Sequence, residues 1–222
     1  MPNIHVRWSW ELEFSDIDND WDLDIVVSAY AGDKASLFLF TNDGMGKFSD
    51  ATAGNVTQGK YALDIETIDL NNDGFMDLLT LHDGVAGRNR LLINDKTGKF
   101  TDSTDVLWPK LQNPSSFDFS VGFYDHDSNH KVDWVIGAIE TAQIKYPDRL
   151  LYESGGKYAE NKAAFEQMPA SAGTYSIVLA DFNQDFKLDV AMAQNENATQ
   201  KKILLATDEI PVDTAEPIIP NY

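Results

Sequence analysis

Four aspartate-rich loops at near-constant spacing constrain this chain more than any other feature. The plainest is Asp69-Leu70-Asn71-Asn72-Asp73-Gly74-Phe75-Met76-Asp77, with side-chain oxygens at loop positions 1, 3, 5 and 9. The same frame recurs at Asp16, Asp18, Asp20 and Asp24, at Asp125, Asp127, Asn129 and Asp133, and at Asp181, Asn183, Asp185 and Asp189. The first carboxylates of the four loops, Asp16, Asp69, Asp125 and Asp181, fall 53, 56 and 56 residues apart. Oxygens at alternate positions around a turn suit a hard cation that takes about six to eight oxygen ligands, as Ca²⁺ does. A repeat of this length points to stacked supersecondary units rather than one irregular domain.

The residues around the loops repeat as well. Trp8 to Ser15 alternates apolar and polar side chains, the period of a strand, and runs directly into the first loop. Ile25 to Tyr30 reads as a second strand, Ser36 to Thr41 as a third, and Lys47 to Asp50 as a short fourth after the Asn42-Asp43-Gly44 turn. The second unit has Leu63, Ile65 and Thr67 before its loop, Leu78 to Leu81 after it, and Arg90 to Ile93 as a third strand. Its closing segment, Asn94 to Asp102, echoes Asn42 to Asp50 almost position for position. The third unit carries Phe119, Val121 and Phe123, then Trp134 to Gly137, then Arg149 to Tyr152 before Gly155-Gly156-Lys157-Tyr158. The fourth has Tyr175, Ile177 and Leu179, then Val190 to Ala193 and Ile203 to Leu205, and leaves its fourth strand open. Repeats are expected at about 8–60, 61–116, 117–173 and 174–207, so that 1–207 is repeat array and 208–222, rich in proline, is a tail or linker. Two longer connections interrupt the pattern. Val106 to Ser116 is expected at one rim, and Ala159 to Gly173, with Ala163, Ala164, Phe165 and Met168, is expected to form a helical turn.

At 222 residues, 43% of them hydrophobic, the chain holds enough apolar side chain for a real core. A formal charge of −19 with no basic cluster excludes nucleic acid, whose phosphates need Lys and Arg stripes. Many of the carboxylates sit in the four loops, so part of that charge reads as cation-binding capacity. No apolar stretch approaches the roughly 18 residues of a membrane span, and membrane insertion is not expected. Cysteine is absent, which removes disulfides and thiolate zinc sites and leaves redox compartment unread. Asn55-Val56-Thr57 and Asn197-Ala198-Thr199 fit the glycosylation sequon, a pattern common by chance.

Strand, D-x-[DN]-x-[DN]-x-x-x-D loop, strand, repeated at this period over roughly residues 8–207, resembles the FG-GAP/VCBS repeat family. Its members include integrin α-subunit propellers and many bacterial surface and secreted proteins. The Gly-Lys-Phe-[Ser/Thr]-Asp-x-Thr closing segment is similar to the blade ends of the cartilage acidic protein/UnbV-type subgroup. The resemblance implies an all-β fold, a β-propeller with four four-stranded blades, either closed as a four-bladed ring or part of a larger propeller. It also implies that positions 1, 3, 5 and 9 hold Ca²⁺ by side chain and position 7 by its backbone carbonyl, which Asp22, Phe75, Lys131 and Lys187 would supply. Up to four Ca²⁺ ions are expected. An EF-hand, the competing reading of any one loop, fails at position 12, where Val27, Thr80, Ile136 and Met192 cannot provide a bidentate carboxylate.

The four loops should differ. Only the second has glycine at position 6, where a tight loop needs φ > 0; Trp21, His130 and Phe186 stand there in the others and imply strain or altered geometry. The first loop carries the most negative charge because Asp22 adds to its four ligand carboxylates. The third, with Lys131 and His130, is ranked weakest, and folding without metal is its alternative. Outside the loops, Glu11, Glu13, Asp64 and Glu66 lie on the alternate face of two first strands, where a solvated or channel-facing set is favoured over a glycosidase pair. His5, His82, His126 and His130 have no zinc spacing and read as solvated. Trp21, His130 and Phe186 would line one rim and stack on sugars, or simply cover loop backbone. The expected function is a calcium-binding extracellular module, secreted or at the cell surface, for adhesion or for binding a protein or glycan ligand. The alternative is a catalytic or carbohydrate-binding propeller part of a secreted polysaccharide-degrading enzyme, for which no complete catalytic constellation is present.

Overall fold

The computed structural model describes residues 8–30, 37–57, 62–83, 87–110, 116–139, 148–161, 173–194, 202–205 and 212–213. The expected helical turn around Ala163 to Met168, the sequon at Asn197, His5 and most of the C-terminal tail lie outside these residues. The chain divides into two compact units, Met1–Ser115 and Ser116–Tyr222.

The first unit holds two sheets. Strands β1 (Trp8–Ser15), β2 (Asp24–Tyr30), β3 (Leu37–Thr41) and β4 (Ser49–Asp50) form one; β5 (Ala62–Ile68), β6 (Asp77–His82), β7 (Arg90–Asn94) and β8 (Phe100–Asp102) form the other. The second unit repeats the plan. Its sheets are β9 (Asp118–Tyr124), β10 (Asp133–Ala138), β11 (Arg149–Ser154) and β12 (Lys157–Glu160), followed by β13 (Thr174–Ala180), β14 (Asp189–Gln194), β15 (Lys202–Leu205) and β16 (Val212–Asp213). All neighbours are antiparallel and follow chain order, as hairpin-connected meanders do. The fold is therefore all-β, four four-stranded sheets with a blade-like strand order. The fourth strand that the sequence left open is β16, which lies within the stretch read as a tail. Among the described residues no helix is long and apolar enough to cross a membrane.

The loop-bearing hairpins form where alternation and turn chemistry direct them. The first strand of each sheet also carries a bulge at one fixed place in the repeat. Pairing skips Trp10, Leu63 and Tyr175 in β1, β5 and β13, and skips Phe119 in β9. A bulge shifts the side-chain alternation on one side of it. Leu12 and Phe14 lie opposite Val27 and Ile25, whereas Trp8 lies opposite Tyr30 on the other face. The sequence row Trp8, Trp10, Leu12 and Phe14 is thus not one face of the strand, although all four side chains are 45–58% exposed.

Within each unit the second sheet packs its first strand on the first sheet. In the first unit Ile17, Val26, Leu37 and Leu39 meet Ala62, Ile65, Leu78, Leu92 and Phe100. A fully buried Leu or Ile of such a layer contributes about 1.5–3 kcal/mol. In the second, Tyr124, Val135 and Leu150 meet Ile177, Leu179, Val190 and Met192. The connection after β8 also differs from a plain rim loop. It forms a short helix, α1 (Thr104–Leu107), and the Trp108 that follows is fully buried.

Glycine sets how closely the sheets of the second unit approach. A Cβ at Gly137 would lie 2.6 Å from Thr174 Cγ2, and one at Gly122 would lie 3.0 Å from Ile177 Cγ2. Gly137→Ala should therefore destabilise the protein by about 1–3 kcal/mol, the usual effect of overpacking a core. Denaturant unfolding checks this: Gly155→Ala, at a turn where an added Cβ meets nothing within 4 Å but φ is 63°, should cost about 1 kcal/mol through backbone strain alone.

Candidate metal centres

The four loops share one backbone. Position 4 is left-handed in each, at Asn19, Asn72, Ser128 and Gln184 with φ of 63°, 57°, 59° and 63°. Position 6 is left-handed too, at Trp21, Gly74, His130 and Phe186 with φ of 74°, 87°, 63° and 67°. The expected altered geometry of the loops without glycine is absent. Their bulky residues take the strained conformation that Gly74 takes at no steric cost.

Hydrogen bonds from the carboxylates impose that shape. The position-1 aspartate accepts the N–H of position 5 on Oδ1 and the N–H of position 6 on Oδ2 in all four loops, at 2.8–3.1 Å. The position-5 side chain accepts the N–H of position 7, so Asp20, Asp73, Asn129 and Asp185 bind the backbone of Asp22, Phe75, Lys131 and Lys187. At position 3, Asn71, Asp127 and Asn183 accept the N–H of position 5. The position-7 carbonyl's role as a ligand rests on the resemblance alone.

Position 9 stands apart. Asp24, Asp77, Asp133 and Asp189 are all 0% exposed. Each accepts the N–H of position 2 on Oδ2, from Ile17, Leu70, His126 and Phe182 at 2.8–3.0 Å. In the first three loops Oδ1 accepts an N–H from the end of the third strand, from Asn42, Asn94 and Glu153 at 2.8–2.9 Å. A residue chosen from the sequence as a metal ligand is thus also the stitch between the loop and the sheet. Burial pushes the carboxyls of Asp24 and Asp77 up to about 6 against the opposing pull of those N–H groups, and raises that of Asp133.

The donor set fits a hard cation. In loop one Asp16, Asp18 and Asp24 each bring a carboxylate oxygen within 4.8 Å of the others, and in loop three Asp125, Asp127 and Asp133 do the same. Loops two and four have asparagine at position 3 in place of the third carboxylate. Loop one holds a more specific sign: Asp18 Oδ1 and Asp22 Oδ1 are shut off from solvent and accept no hydrogen bond. A sealed carboxylate oxygen without a donor is costly, and a bound cation is what relieves it. Desolvation first, then the neighbouring loop carboxylates, push the carboxyls of Asp18 and Asp22 up.

Several functional neighbours were not singled out by the sequence. Asn94 donates from Nδ2 to the Ile17 carbonyl of loop one at 2.7 Å and to the Met76 carbonyl of loop two at 3.0 Å, joining the two loops of the first unit. Asn42 makes the matching bond to Leu23 at 3.2 Å. Lys96 places Nζ 3.3 Å from Asp73 Oδ2 and 5.0 Å from the centroid of the Phe75 ring. The echoed Asn-Asp turns were the available signal, read there only as turns. His82 corrects the solvated reading: it is 2% exposed and bonded to Thr80 Oγ1 at 2.9 Å. His130 Nδ1, by contrast, is on an exposed side chain 3.9 Å from Asp125 Oδ2. Trp21 and Phe186 are 91% and 97% exposed.

Glu13 on β1 and Asp64 and Glu66 on β5 have raised carboxyls, by burial first and then by repulsion from one another and from Glu11. Burial, then this mutual repulsion, pushes Glu66 up to about 8 and Asp64 to about 6. Asp64 is buried, which departs from the expected solvated set.

These sheets and loops define a repeat protein in which every four-stranded unit carries one oxygen-rich loop between its first two strands. The FG-GAP-like repeat matches residues 16–80, from the first aspartate of loop one to the strand after loop two, and over that stretch the chain is similar to FG-GAP repeats. No curated protein matches the chain.

The raised carboxyls give the metal-free protein a definite pH dependence. Their folded pKa values lie above the unfolded ones, so the folded state binds more protons in between, and stability rises as pH falls. For Glu66 the gain runs from about 8 down to 4.5, and for Asp24, Asp64 and Asp77 from about 6 down to 3.8. Chelator-treated protein should melt at a higher temperature near pH 6 than near pH 8, and Glu66→Gln should remove most of that difference.

Proposed function

We propose that the chain is a calcium-binding β-propeller module that acts outside the cell, secreted or at the surface, and binds a protein or glycan ligand. The observation that carries the calcium reading is the pair of sealed, unbonded oxygens Asp18 Oδ1 and Asp22 Oδ1 in a loop of hard donors. Asp16, Asp18, Asp20 and Asp24 would hold the ion of loop one, and Asp69, Asn71, Asp73 and Asp77 that of loop two. Asp125, Asp127, Asn129 and Asp133, and Asp181, Asn183, Asp185 and Asp189, would hold the other two. Bound Ca²⁺ supplies charge neutralisation and cross-linking of the loop; the chain's own carboxylates set the backbone into which it fits. The His130 ring beside Asp125 and the Lys131 that follows support loop three as the weakest site.

The blade-like sheets support a propeller whose strands run from Trp8 in β1 to Asp213 in β16, as a ring of four or as part of a larger one, with the ligand surface formed by the loops. Exposed Trp21 and Phe186, each inside a metal loop, suit stacking on a sugar or a partner's apolar side chain. A calcium requirement is compatible with the millimolar Ca²⁺ found outside cells.

If each site has the affinity of extracellular Ca²⁺ modules, ~10⁻⁴ to 10⁻³ M, it contributes about 0.4–1.4 kcal/mol at ~1 mM Ca²⁺. Melting with millimolar Ca²⁺ should therefore lie several degrees above melting with excess chelator. Identical curves, together with no heat on calorimetric titration, remove the calcium reading. A glycan array and a polysaccharide hydrolase and lyase screen on the same sample separate ligand binding from catalysis.

A further inference from the structure

The two loops of the first unit are set apart by one position in the neighbouring turn. Gly44 and Lys96 stand two residues after Asn42 and Asn94, at the same place in the repeat, and both are left-handed, with φ of 72° and 78°. In loop one, Gly44 lies against Asp22, and a Cβ there would sit 3.2 Å from Asp22 Oδ2. In loop two, Lys96 brings its ammonium 3.3 Å from the ligand-position oxygen Asp73 Oδ2 and over the ring of Phe75 at position 7. An acidic position 7 is thus matched by a glycine, and an aromatic one by a cation. Loop one gathers five carboxylates, at Asp16, Asp18, Asp20, Asp22 and Asp24, with the Asp22 oxygen sealed and unbonded. Loop two has three, at Asp69, Asp73 and Asp77, and one of them is already paired.

Resting on the calcium reading above, we propose that loop one is the tight site of the first unit, with the Asp22 carboxylate an additional ligand. Loop two carries its own counter-cation, Lys96, which an entering ion must displace from Asp73. The glycine at position 6, which makes loop two the better-formed site by sequence, does not distinguish the loops, since position 6 is left-handed in both. Charge does. Affinity in such oxygen sites follows the number of ligand charges, and a tethered ammonium on a ligand carboxylate competes directly with the metal. A partly exposed ion pair is weak in itself, so the competition lowers affinity without abolishing binding.

Tb³⁺, a luminescent ion of Ca²⁺-like size and oxygen preference, tests this on the full chain, because Trp21 at position 6 of loop one can sensitise it. The part of the signal lost in Trp21→Phe reports loop one. Asp22→Asn should weaken that step about tenfold, by loss of one ligand charge, and Gly44→Lys should weaken it too. Lys96→Gly, which also relieves a left-handed non-glycine residue, should tighten a separate Ca²⁺ step in calorimetry about three- to fivefold. That gain should shrink at high salt and vanish when combined with Asp69→Asn. Circular dichroism confirms that each variant is folded. A wild type that binds neither ion overturns the calcium reading itself. Ions that bind wild type and Asp22→Asn alike, or a Lys96→Gly variant with unchanged affinities, overturn the present inference alone.

Discussion

The buried position-9 aspartate is the interaction on which each unit depends. It takes a charge to a site with no solvent exposure and, in the first three loops, satisfies it with backbone N–H groups from two different segments, the start of the loop and the end of the third strand. A carboxylate can accept several such bonds at once, and each is stronger than a neutral one. The same group therefore closes the loop, fixes how far the third strand runs, and offers its remaining lone pairs to an ion. Replacing it by an apolar residue would leave buried N–H groups with no acceptor in both segments.

The hydrogen-bonding role and the proposed metal role can coexist, because a carboxylate oxygen that accepts one hydrogen bond keeps further lone-pair capacity. Position 1 illustrates this. Asp69 takes the N–H of Asp73 on one oxygen and that of Gly74 on the other, which holds the loop backbone in its turn. The frame is protein-made, and the charge it concentrates is what a cation neutralises. Asn94 extends the frame sideways, since its amide holds a carbonyl in each loop of the first unit.

Much of this architecture was legible in the sequence. Trp8 to Ser15 alternates and is β1; the apolar runs after each loop are second strands; the echo between Asn42 to Asp50 and Asn94 to Asp102 locates two matching turns. Four things were not legible. The bulges at Trp10 and Leu63 leave no mark in composition, because an apolar residue looks the same whether it continues an alternation or interrupts it. Strand β16 is two residues long, too short for any period to show. The common loop geometry was hidden behind Trp21, His130 and Phe186, residue types that disfavour φ > 0; two hydrogen bonds to the position-1 carboxylate outweigh that local preference. Likewise, Trp108 followed by Pro109 looked like part of a rim connection, yet its indole is fully buried.

The paired left-handed residues in every loop carry a kinetic consequence. Strain at Asn19 and Trp21, or at Gln184 and Phe186, is already present in the backbone that the carboxylates hold, so an arriving ion has little conformational rearrangement to drive. Preorganisation of this kind removes the ordering step from association. If the loops bind Ca²⁺ as proposed, capture would be limited by stripping water from the ion, and the loops would differ mainly in how long they keep it. Under the calcium reading proposed above, a module built this way would follow the surrounding ion concentration promptly and reversibly, exchanging metal without unfolding the sheets that carry it.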